Sequence, residues 1–179
     1  MKDLLSLMNT KEMIKAVMFG INDALNKYGR LKVVPGKPEI KQKQDNTNLS
    51  AIGIVRLESK DFAVEVFMGF SEILFKEIYE NIFQTTPMEV SSENHDLAGE
   101  ILNVAFGTID PMLRAQGIFA RCSFPKIYSG EGMKKSLSTL NVPCVSIPYT
   151  KNGTSISVDL YPSSSIKENW TFDVQLKTA

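Results

Sequence analysis

The sequence predicts an α+β fold in which helices cover one face of an antiparallel sheet. Three observations point there. Read along the chain, the elements come as helix, three strands, two helices, three strands, without the βα alternation that builds a parallel sheet. The last strand alternates, with Ile156, Val158 and Leu160 set against Ser155, Ser157 and Asp159, one dry face and one wet. And 179 residues, 43% hydrophobic and 22% charged, suffice for one domain with a substantial core.

The first helix is expected from Lys11 to Tyr28, where Ile14, Val17, Met18, Ile21, Leu25 and Tyr28 recur at the helical period. Asn9 is its candidate cap, with Glu12 three residues on, and Gly29 follows its end. Pro35 and Pro38 forbid a helix interior, so "VVPGKPEI" reads as a turn and an extended edge, followed by a polar loop at Gln44 to Asn48. "AIGIVRLE" and "FAVEVFMGF" pair as a hairpin across the turn Ser59-Lys60-Asp61. Ser71 caps a second helix running to Phe83, and Pro87 bars its continuation.

A third helix is expected to open at Ser91 or Ser92 and to kink or restart at Pro111, with Asp110 as a possible new cap. "IFARCSFPKIYSG", "NVPCVSIPYT" and "TSISVDLYP" read as strands. Asn152-Gly153 turns the last two into a hairpin, and "SGEGMKK" reads as the end of a strand and a turn. The whole chain, 1–179, reads as one domain with its core over about 10–162 and a tail from 163 that is either loose or an added strand.

Composition and motifs exclude several function classes. Lys plus Arg equals Asp plus Glu at 20 each, so no global field draws the chain to nucleic acid or an anionic membrane. "MKDLLSLMNTKEM" is too short and too interrupted for a secretory signal, and no window reaches a transmembrane length. Cys122 and Cys144 have no metal-ligand spacing and read as small core residues of a reducing cytoplasm. The single histidine, His95, is tied by no spacing to a nucleophile and reads as a surface residue. No phosphate loop or zinc motif occurs.

One stretch stands out. In "HDLAGEILNVAFG", an advance of about 100° per residue sets Asp96, Gly99, Glu100, Asn103 and Gly107 on one narrow strip, with apolar residues round most of the rest. Each glycine costs roughly 1 kcal/mol relative to alanine, which implies a close approach, either by a neighbouring element of the same chain or by another protein. Glu100 and Asn103 lie one turn apart. A carboxylate can hold a lysine, and a carboxamide can both donate to and accept from one water. Neither is a nucleophile, so the pair suits positioning better than covalent chemistry.

Asp96, three residues, Glu100, two residues, Asn103, and Pro125 one residue short of the usual distance together resemble the signature of the CheC/CheX/FliY phosphatases of bacterial chemotaxis. "VPGKPEI" and "PKIYSG" also resemble segments of the CheX branch, the one the chain looks most like. The resemblance implies a six-stranded antiparallel sheet with two long helices packed on one face. It implies dephosphorylation of the phospho-aspartate of a CheY-like receiver domain. Asn103 would enter the receiver's active site and orient the attacking water, Glu100 would pair with a receiver lysine, and Asp96, Gly99 and Gly107 would bind the substrate. The protein would hold no cofactor of its own, the Mg²⁺ coming with the receiver. Only one such motif is present, since Glu12 is followed at that distance by Lys15; this resembles the homodimeric CheX proteins, with one motif per chain. A non-catalytic receiver-binding module, similar to the flagellar switch protein FliM, is the alternative. "MKDLLSLM" and the tail containing Trp170 lie beyond the common core.

Overall fold

The structure, a computed structural model, describes residues 11–42, 48–59, 63–138 and 142–163. The elements are α1 (Lys11–Lys27), β1 (Val34–Pro35), β2 (Glu39–Lys41), β3 (Leu49–Glu58), β4 (Ala63–Ser71), α2 (Glu72–Phe83), α3 (Asp96–Ala115), β5 (Arg121–Cys122), β6 (Lys126–Ser129), α4 (Gly130–Ser138), β7 (Cys144–Lys151) and β8 (Thr154–Pro162). All strand pairs are antiparallel, in the order β1-β7-β8-β4-β3-β5, with β2 also on β7 and β6 also on β3. The eight strands thus occupy six positions. Each edge is split in two: by Gly36 to Pro38 between β1 and β2, and by Ser123 to Pro125 between β5 and β6. Proline lacks the N–H that a continuous ladder requires, so it is tolerated at these edges.

The two long helices, α1 and α3, lie on one face, as the resemblance implies, and α2 joins them there through Leu74, Phe75 and Ile78. The core sits between these helices and the inward residues Val64, Val66, Met68 and Phe70 of β4 and Ile156, Val158 and Leu160 of β8. Gly20 lets α1 approach α3 closely: a Cβ there would stand 2.9 Å from the Ala105 carbonyl oxygen and against Ile109. The buried Tyr149 hydroxyl donates to the Met18 carbonyl at 3.1 Å and ties the sheet to α1. At the start of α2, Ser71 Oγ accepts from the Leu74 N–H at 3.4 Å, as the sequence predicts.

Several expectations need correction. "SGEGMKK" is mostly helix: Gly130, at φ +53°, ends the strand, and Met133 and Leu137 of α4 pack on the opposite face of the sheet with Ile52, Ile54, Phe67, Cys144 and Tyr161. A nine-residue helix containing two glycines carries little periodic signal. The face expected to be wet is covered over Ser146 and Asp159, both with no exposed surface, and Glu65. Cys144 is buried, but Cys122 is exposed, on a short edge strand.

The third helix starts at Asp96 rather than at Ser91 or Ser92. Ser91 to His95 form turns, in which Ser91 N–H donates to Asn94 Oδ1 at 3.0 Å. That helix also runs unbroken through Pro111. Proline removes the bond to the Gly107 carbonyl, and both residues face solvent, so water can serve that oxygen. The Asn9 cap, most of the 44–48 loop, Lys60-Asp61 and the tail from 164 lie outside the described residues.

Candidate functional site

Helix α3 is buried along Leu97, Ala98, Ile101, Leu102, Ala105, Phe106, Ile109 and Leu113. That face fixes its rotation. Asp96, Glu100, Asn103 and Gly107 are consequently exposed, in a line along the helix. The Asp96 side chain keeps 89% of its surface. Among the described residues, the Glu100 and Asn103 side chains have no hydrogen-bond or ion-pair partner, so both present their bonding capacity outward.

The two glycines separate. A Cβ on Gly107 would meet nothing within 4 Å, so the space above it is open. A Cβ on Gly99 would stand 3.1 Å from Ile127 Cδ1 and 3.9 Å from Pro125 Cβ. Gly99 is buried and serves the close approach of β6, the internal alternative. The same contact brings Pro125, the distant member of the sequence signature, against the motif helix.

Strand and helix run side by side along this edge. Ser129 sits by the start of α3, where His95 Nδ1 lies 2.8 Å from Ser129 Oγ. Pro125 and Ile127 sit by Gly99. Cys122 sits by the far end, where the charges of Asp110 and Arg114 act on its thiol. His95 is therefore half-buried and clamps α3 to β6, rather than standing free as a surface residue. A histidine between a turn and a helix gives no sequence cue to a partner 34 residues away.

Sequence reasoning also missed Phe124. It lies 91% exposed at the break between β5 and β6. The run 118–130, expected as one strand, is instead broken at Ser123 to Pro125, because proline cannot donate to a ladder. Among the described residues, no group of three or more acidic, histidine or cysteine side chains could hold a metal ion, and no helix is long and apolar enough to cross a membrane.

No protein-family model matches the chain, and no curated protein matches it significantly. Solved structures do. CheX of Vibrio vulnificus superposes with a TM-score of 0.71 at 21% identity, over 83% of this chain and 97% of that one. The fold is that of the CheC/CheX proteins. CheX from Borrelia burgdorferi, solved in complex with CheY, BeF₃ and Mg²⁺, matches with a TM-score of 0.64 at 16% identity, over 83% and 96% of the two chains. FliM, from the FliM–SpeE complex of H. pylori, matches at 0.59 and 7% identity, over 90% of each.

Proposed function

We propose that this chain is a phosphatase of CheY-like receiver domains, acting in the cytoplasm on the phospho-aspartate of the receiver. The observation that carries the reading is an unpartnered carboxylate and carboxamide, Glu100 and Asn103, on the exposed strip of a helix whose other face is buried, in a CheX-like fold. The likeness to a CheX captured with CheY supports a receiver as the partner.

The chemistry asks little of the phosphatase. An acyl phosphate already has a good leaving group, and the receiver brings its own Mg²⁺. Asn103 Oδ1 accepts from the attacking water, and its Nδ2 can donate to it, which fixes the water's lone pair toward phosphorus. As the water oxygen bonds to phosphorus, the bond from phosphorus to the aspartyl oxygen breaks. The aspartate carboxylate leaves and inorganic phosphate is released. Glutamine plays the corresponding part in GTPases. Glu100, one turn away, pairs with a receiver lysine and sets the register. Asp96 and Gly107 extend the contact along the ridge, and Gly99 shapes it from beneath by admitting Ile127 and Pro125. The homodimer implied by the same resemblance would carry two such ridges, and light scattering tests it.

The likeness to FliM favours a second reading, a module that binds receivers without hydrolysing them. Phosphate release from phosphorylated receivers, measured beside binding of the same receivers, separates the two. The proposal expects release faster than the receiver's own rate. Binding with no acceleration favours the second reading and overturns the first.

A further inference from the structure

Phe124 has no part in the chemistry above, yet its placement is tightly held. Pro125 lies against Gly99, one helical turn from Asn103, so its chain neighbour Phe124 is set beside that part of α3. The wheel of α3 agrees: Gly99 and Asn103 differ by roughly 40° about the axis, so the loop follows the edge of the strip itself.

The loop is pinned to β3 by two hydrogen bonds with Arg56. Ser123 N–H donates to the Arg56 carbonyl at 2.9 Å, and Arg56 N–H donates to Ser123 Oγ at 3.0 Å. The Ser123 hydroxyl donates onward to the Phe124 carbonyl at 3.1 Å, and Pro125 fixes the next φ. A phenyl carried on a fixed backbone loses only its own rotamer freedom on binding, with no loop to order. Aromatic anchors of this kind dominate the energy of protein interfaces. Among the described residues, nothing stands within 4 Å of a Cβ placed on Gly107, and the Asn103 side chain one turn before it has no partner.

Resting on the receiver-phosphatase reading, we propose that Phe124 is the apolar anchor of the docking surface, selecting receivers that present an apolar patch beside the phospho-aspartate cleft. The role is affinity and choice of receiver, while Asn103 keeps the chemical step.

The test uses the full chain and receivers held in the activated form by Mg²⁺ and beryllofluoride. Phe124→Ala is expected to weaken binding about 10- to 30-fold and to raise KM in phosphate release by a similar factor. Its kcat at saturating receiver stays within about threefold of the wild type, and Phe124→Leu recovers most of the affinity. Because the side chain is almost wholly exposed, folding is expected to be kept, and circular dichroism checks it. Affinity and KM of Phe124→Ala within twofold of wild type, with the wild type binding and hydrolysing the same receivers, overturn the anchor and leave the phosphatase reading intact. A wild type inert toward every receiver overturns the phosphatase reading, and the anchor with it.

Discussion

Gly107→Ala should stabilise the protein and impair it at once. A Cβ at this position meets nothing within 4 Å, so the substitution costs no packing within the chain. It removes the backbone freedom that glycine keeps in the unfolded state and adds helix propensity, together about 1 kcal/mol. For a chain of this size that is a rise of about 2–4 °C in Tm. The same methyl group stands on the strip between Asn103 and Pro111, where the receiver is proposed to seat. Adding a methyl to a close-packed contact costs about 1–3 kcal/mol, which is roughly 5- to 150-fold in affinity. Thermal unfolding followed by circular dichroism, paired with titration of a beryllofluoride-activated receiver, reads both effects on one sample. A variant that gains stability and keeps full affinity would refute the seating of a receiver at Gly107. A variant that loses stability would refute the open geometry itself.

Two further outcomes follow from the packing and electrostatics. Gly20→Ala would force its Cβ against the Ala105 carbonyl and Ile109, and a net loss of about 1–2 kcal/mol is expected, seen as a fall of roughly 2–8 °C in Tm. Burial pushes the Glu65 carboxyl up from an ordinary 4.5 to about 6, and the Arg56 guanidinium at 3.3 Å offsets only part of that cost. The folded state then binds the proton more tightly than the unfolded one. The buried charge therefore penalises folding above pH 6, and acidification from 6 to 4.5 relieves the penalty. The wild type should gain about 1 kcal/mol relative to Glu65→Gln over that interval, and about 2 kcal/mol in all between roughly pH 8 and pH 3, read by urea unfolding at each pH. A constant difference between the two proteins would contradict this.

Much of the architecture was legible because it rests on periodicity. The apolar period of α1, the Ser71 cap, the alternation in β4 and β8 and the Asn152-Gly153 turn each act locally, and the structure keeps them. What stayed hidden depends on partners far away in sequence. Gly130 to Ser138 become helical because Met133 and Leu137 find Ile54, Phe67 and Tyr161 on the second face of the sheet. Pro111 is carried inside α3 because Gly107 and Pro111 both face water there. Cys122 is exposed because its strand is two residues long and lies at the edge.

At the candidate site, the strip of Asp96, Glu100, Asn103 and Gly107 could be drawn from helix geometry alone. The burial of Gly99 could not, because it is set by Ile127 and Pro125 arriving from a later strand. Nor could the tie between His95 and Ser129 or the exposure of Phe124, which follow from the course of β5 and β6 along the helix.

Phosphate release by Asn103→Ala from a phosphorylated receiver tests the central claim most directly. Asn103 is exposed and unpartnered, so the variant should unfold with the wild type, within about 0.5 kcal/mol. It should still bind the activated receiver. Loss of one group that aligns water in the transition state costs about 3 kcal/mol, so kcat is expected to fall roughly 100-fold. A variant that binds the receiver and releases phosphate at the wild-type rate would contradict the account.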